Sequence, residues 1–147
     1  MDVRLKKLKI DFPNGWTDVS SENLDGPPTF IDSRLIEPGV LQISIAEYFF
    51  GQKPNPNHDD LIELSENIGI KNDFGEIIKK ESGNCNFGRY GTVEFAGIDF
   101  PYISVSHLSN GKDFVFSTFI CSRYPDKSEI NDVKSILTSI KRRRFLF

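Results

Sequence analysis

The run TVEFAGIDFPYISVSHLSNGKDFVFSTFICSRY, residues 92–124, constrains the fold more than any other part of the chain. It reads as three antiparallel strands, the first two joined at Ala96-Gly97 and the last two across Asn110-Gly111, a strong short hairpin signal. The stretch Phe114 to Cys121 is apolar on both faces. A strand with no polar face must lie centrally and be covered on both sides. The rest of the chain therefore has to supply cover on each side of a sheet.

Two helices are available for this. After Tyr124-Pro125, Asp126 stands where an N-cap would, with Glu129 three residues on as its capping-box partner. Ile130, Val133, Ile136, Leu137 and Ile140 then form one apolar stripe. Earlier, DLIELSENIGI places Leu61, Leu64 and Ile68 at helical spacing, with Asp59 and Asp60 near the positive end of the helix dipole and Gly69 as the expected stop.

The remaining elements are strands and turns. KKLKIDF puts Leu8, Ile10 and Phe12 on one face and ends in the turn Pro13 to Trp16. Ser20 to Pro28 is loop, Thr29 to Asp32 a short strand, and VLQISIAEYFF alternates through Leu41, Ile43 and Ile45. GQKPNPNHDD breaks that ladder, EIIKKES resumes one, and SGNCNFGRYG is expected as loop. With no internal repeat and no linker, the order predicts one α+β domain over residues 1–147: an antiparallel sheet of about six strands packed by a mid-chain helix and a C-terminal helix.

FPNGW near the start, the mid-chain helix, the small-residue strand pair ending in a hairpin, and FVFSTFICSRYPDKSEINDVKSILTSIK resemble the PsbP-like superfamily. The specific part is the last strand followed by a helix ending at Ile136, Leu137, Ser139 and Ile140. That superfamily includes the photosystem subunit PsbP, a Ran-binding nuclear-transport factor, DcrB lipoproteins and the Eag chaperones of type VI secretion effectors. The resemblance implies a fold and does not by itself imply an activity.

Hydrophobic content of 38% with 27% charged residues suits a water-soluble globule. The first residues lack the apolar run of a signal peptide, and no stretch approaches a spanning helix, so a cytoplasmic chain beginning near Met1 is expected. In that setting Cys85 and Cys121 are expected as free thiols, Cys121 as a small buried hydrophobe.

No catalytic constellation emerges. Asn57-His58-Asp59-Asp60 is dense in polar groups but reads as a solvated helix start, since the second histidine, His107, is remote in sequence. His107 with Ser104, Ser106 or Ser109 has no nucleophile elbow to expose a serine. Cys85 shows no nearby base, and Gly83, Gly88, Gly91 and Gly97 do not form a phosphate loop. The expectation is a non-enzymatic domain needing neither metal nor cofactor.

Charge is segregated along the chain, +3 over residues 1–10, −9 over 11–81 and +3 over 82–147. The terminal SIKRRRFLF supplies cations for the helix dipole, but the acidic middle argues against nucleic acid, and three apolar residues are a weak membrane anchor. Phe145 and Phe147 are expected to pack on the body or a partner. The function expected first is binding of a protein partner through Asp59, Asp60, Glu63, Glu66, Asp73 and Glu76, as in a bacterial immunity protein that neutralises a cognate toxin. The Eag resemblance implies instead a chaperone or adaptor for a secreted effector, and a small-molecule binder or unrecognised enzyme is the third possibility.

Overall fold

A computed structural model describes residues 1–22, 24–46 and 55–143. Strands β1 (Asp2–Leu5) and β2 (Leu8–Asp11) form an N-terminal hairpin, followed by β3 (Trp16–Asp18), a 3-10 turn at Ser20–Glu22, β4 (Thr29–Asp32) and β5 (Val40–Ala46). Helix α1 (His58–Lys71) leads into β6 (Glu76–Asn84), β7 (Arg89–Ala96), β8 (Tyr102–Ser109) and β9 (Phe114–Cys121). Helix α2 (Lys127–Ser139) and the two-residue strand β10 (Lys141–Arg142) close the described chain.

The α+β architecture is as expected, with a larger sheet. Seven antiparallel strands run in the order β3-β4-β5-β9-β8-β7-β6, so the doubly apolar β9 occupies the centre. Its Val115, Phe119 and Cys121 join a core with Val133, Ile136, Leu137 and Ile140 of α2 and Leu8 and Ile10 of β2. Its Phe116 and Ile120 point the other way, toward Val93, Phe95, Ile103 and Val105 and the α1 residues Ile62 and Ile68. Thus α1 covers one face, while α2 and a small second sheet, β1-β2-β10, cover the other.

Three local expectations are corrected. Helix α1 does not stop at Gly69 but continues to Lys71, capped by Asn72. Gly69 is buried in the helix because the Phe95 ring lies on it: a Cβ there would come 2.0 Å from the ring. The capping box belongs to α1, where Asn57 Oδ1 accepts from the Asp60 N–H at 2.8 Å and Asp60 Oδ2 accepts from the Asn57 N–H at 2.9 Å. At α2, Asp126 makes no side-chain cap, and Glu129 turns inward to accept the Gly39 N–H at 2.9 Å. A lone buried amide draws that carboxylate away from the cap, because leaving the amide unpaired would cost about 1–3 kcal/mol.

The segment expected as loop between Ser82 and Gly91 is mostly strand, β6 running to Asn84 and β7 resuming at Arg89. Gly83 and Gly91 are accommodated in the ladder, which continues through Ser82↔Gly91 and Gly83↔Tyr90, while Gly88 lies in the turn between the strands at positive φ. Cys85 and Cys121 are both free thiols, and burial raises the pKa of both, that of Cys121 to about 12. The expectation for Phe145 and Phe147 lies outside the described residues.

Candidate functional site

The six acidic residues singled out from the sequence fall on one flank. Asp59 and Glu63 are exposed on α1. Asp60 is engaged in the capping box, and Glu66 pairs with Lys80 of β6 at 3.2 Å. Asp73 and Glu76 are exposed where α1 turns into β6. The register Glu76↔Ala96 brings this turn beside the β7–β8 connection, which adds a further exposed acid, Asp99.

That junction has a feature the charge pattern did not disclose. Ile98 is fully exposed, Ile70 is 66% exposed and Phe100 42%. With Phe74 and Ile103, Ile98 and Phe100 line an open cavity of about 510 Å³ whose rim carries Asp73, Glu76 and Asp99. Large apolar side chains thus stand at a solvent-facing tip with carboxylates around them, an apolar centre inside a polar rim. The signal was present in GIDF, residues 97–100, where two apolar residues flank an acid in a turn.

Histidine 107 is not placed for catalysis with the strand serines. Its Nδ1 lies 2.8 Å from Ser65 Oγ of α1, and Ser65 Oγ in turn donates to the Gly91 carbonyl at 3.0 Å. With its only proton spent on that carbonyl, Ser65 must accept from a protonated Nδ1. The imidazole therefore acts as donor to the hydroxyl and cannot take its proton as a general base would. Ser106 pairs with Thr92 at 2.7 Å, and Ser109 accepts the Gly111 N–H at 3.0 Å.

Burial lowers the His107 pKa from 6.5 to about 4. The unfolded chain therefore takes up this proton first as pH falls. Its contribution is complete above about pH 6.5 and is lost on the way down to about pH 4, a total of about 3 kcal/mol at roughly 1.4 kcal/mol per unit. Asp32 and Glu81, held below their ordinary values of 3.8 and 4.5 by Arg34 and Lys134, lose their contributions only below those values. Urea unfolding of the wild type and His107→Gln between pH 4.5 and 6.5 should show a slope in the first that is absent in the second.

The densest polar cluster went unnoticed in the sequence. On the α2 side of the sheet, Tyr102 donates to Glu94 Oε1 at 2.5 Å, Tyr90 donates to Glu81 Oε1 at 3.2 Å, and Lys134 of α2 pairs with Glu81. These groups surround a cavity of only about 120 Å³, and they bond mainly to one another. Tyr102 is pushed up strongly, first by burial and then by its bond to Glu94, which makes it a poor proton donor in catalysis. Strict alternation in Tyr90, Thr92, Glu94 and in Tyr102, Ser104, Ser106 is the signal that could have found this face. Among the described residues, no group of three or more His, Cys, Asp or Glu side chains is placed to hold a metal ion.

The two basic ends of the sequence meet in the outer sheet. Strand β10 pairs with β2 so that Arg4, Lys9 and Lys141 stand in register across the outer sheet. The Arg143 N–H donates to the Lys7 carbonyl at 2.6 Å, and its guanidinium to the Lys6 carbonyl at 3.1 Å. The molecule thus carries an acidic flank along α1 and a basic sheet built from both termini.

No family model matches the chain, and no curated protein matches its sequence. Among solved structures, the cyanobacterial PsbP protein CyanoP from Synechocystis sp. PCC 6803 superposes with a TM-score of 0.60 at 15% identity, covering 97% of this chain and 92% of the other. A protein from Bacteroides thetaiotaomicron superposes with a TM-score of 0.50 at 13% identity, covering 94% of this chain and 46% of that one. The fold is PsbP-like, and at these identities the likeness reaches no further than the fold. Among the described residues, no helix is long and apolar enough to cross a membrane.

Proposed function

We propose that this is a non-enzymatic binding domain that engages a basic protein partner through the acidic α1 flank and the Ile98–Phe100 tip, in the manner of an immunity protein that neutralises a toxin. The observation that carries the reading is the convergence of Asp73, Glu76 and Asp99 around the exposed Ile98 and Phe100. Apolar anchors supply the buried centre of an interface, and the surrounding carboxylates select a cationic surface and speed the encounter. Toxins acting on nucleic acids carry such surfaces. A second reading, a chaperone for an apolar segment of a secreted effector, is favoured by the same exposed Ile70, Ile98 and Phe100.

Co-expression with the products of the neighbouring genes provides the test. A stoichiometric complex, protection of cells from the partner's toxicity, and a loss of roughly 30-fold or more in affinity for Asp73→Lys/Glu76→Lys and for Ile98→Asp are expected. All three positions are exposed, so the variants should fold. Binding sensitive to Ile98→Asp but indifferent to the charge reversals would favour the chaperone. Complexes unaffected by either variant would overturn the assignment of this surface.

A further inference from the structure

A second site lies at the opposite side of the sheet, where the β1–β2 turn, the β8–β9 turn and β10 meet around a cavity of about 480 Å³. Its floor is apolar: Leu8, Phe87 and Val115 are buried core residues, and Ile45 packs partly against them. Its mouth is cationic, formed by Lys7, Lys112 and Arg142, with Lys6 beside them. Asp113 is the one anion among the described lining residues and pairs with Arg142 at 3.7 Å. The volume falls within the roughly 300–1000 Å³ of small-molecule sites.

Charge placement argues that this mouth is adapted to something anionic. Cations drawn from two turns and strand β10 are held around one opening, with a single carboxylate among the described lining residues to balance them. Next to it, Arg4 opposes Lys9 and Lys9 opposes Lys141, so like charges face each other across both strand pairs of the outer sheet. Such pairings destabilise a sheet unless a counter-charge relieves them; Asp2 supplies one to Lys9 at 3.6 Å, so this strip adds to the positive potential near the mouth but is not without an anion of its own. Arg142 belongs both to the apolar cavity and to the adjoining groove lined by Arg4, Lys9, Lys141 and Arg143. Apolar depth with a positive rim matches a molecule having an apolar body and one anionic head.

We propose that this cavity binds an anionic amphiphile of the long-chain carboxylate class, its chain on Leu8, Ile45, Phe87 and Val115 and its head between Lys7, Lys112 and Arg142. The site shares no residue with the acidic tip, so it stands or falls independently of the proposed protein partner. Because the head could equally belong to a membrane lipid, the test separates a free ligand from a bilayer.

Calorimetric titration of the full chain with monomeric dodecanoate should give saturable one-to-one binding, at least about tenfold tighter than dodecanol. Lys112→Glu/Arg142→Glu, both at exposed positions, should weaken dodecanoate about tenfold or more and leave dodecanol unchanged. Ile45→Trp should block both ligands, with a thermal melt reporting whether that variant is folded; if it is not, the rim variant alone decides. Absence of dodecanoate binding, or equal affinity of wild type and rim variant, would overturn the proposal. So would attachment to vesicles containing phosphatidylglycerol without binding of monomeric dodecanoate, since that would be adsorption by the basic sheet and not occupancy of the cavity.

Discussion

Gly91→Ala is expected to lower stability by about 3 kcal/mol or more, although an alanine in a strand is ordinarily better than a glycine by roughly 0.5–1 kcal/mol. Gly91 sits in β7 facing α1, and a Cβ there would lie 2.5 Å from the Ile62 nitrogen and 2.7 Å from the Leu61 carbonyl carbon. Those are backbone atoms of a helix and cannot turn aside as a side chain could. Relief requires α1 to lift from the sheet, which would loosen the buried Leu61 and the hydrogen bond from Ser65 to the Gly91 carbonyl. Protein interiors have little slack for such a shift. For a chain of this size the melting temperature should fall by about 10 °C. An unchanged midpoint would mean that α1 does not rest on the β7 backbone.

That contact shows where sequence reading succeeds and where it stops. The centre of the sheet was readable because Phe114 to Cys121 has no polar face, and only one position in a layered fold tolerates such a strand. Helix α2 was readable because its stripe recurs at helical spacing over three turns. Gly69 was misread as a stop because a glycine's local tendency is to end a helix, whereas here the Phe95 ring, more than twenty residues away in sequence, requires the missing side chain. The same non-local cause misplaced Glu129: its local role was to cap, and the buried Gly39 amide outbid it.

The surfaces follow the same division. The acidic flank was visible because α1 and the turn after it are contiguous in sequence. The basic sheet was not, because β10 has only two residues, too few to show any period, and its partner β2 lies at the other end of the chain. Strand β1 was readable in retrospect: Val3 and Leu5 pack inward while Arg4 points out. The apolar tip at Ile98 escaped notice because GIDF records two apolar residues in a turn but not whether anything covers them. Identity of a partner is less legible still, since charge and apolar area define a class of surface and not a particular molecule.

Glu129→Ala should be nearly as damaging as Gly91→Ala, and comparing three variants separates hydrogen bonding from charge. Glu129 is only 2% exposed; its Oε2 accepts from the Gly39 N–H at 2.9 Å, and its Oε1 from Arg123 at 3.4 Å. It also lies in the first turn of α2, where the helix dipole favours an anion. Truncation to alanine leaves the buried Gly39 amide without its acceptor and opens a void, at a cost of about 3 kcal/mol. Glutamine keeps an oxygen for the amide and gives up only the charge, so Glu129→Gln should cost about 1–2 kcal/mol. Arg123 is about one-third exposed, and its removal leaves the bond to Gly39 intact, so Arg123→Ala should cost about 1 kcal/mol or less. Urea midpoints should therefore fall in the order alanine at 129, glutamine at 129, alanine at 123. If Arg123→Ala proved as costly as Glu129→Ala, the ion pair and not the amide would be what ties α2 to the β4–β5 turn, and the inward rotation of Glu129 would need that different cause.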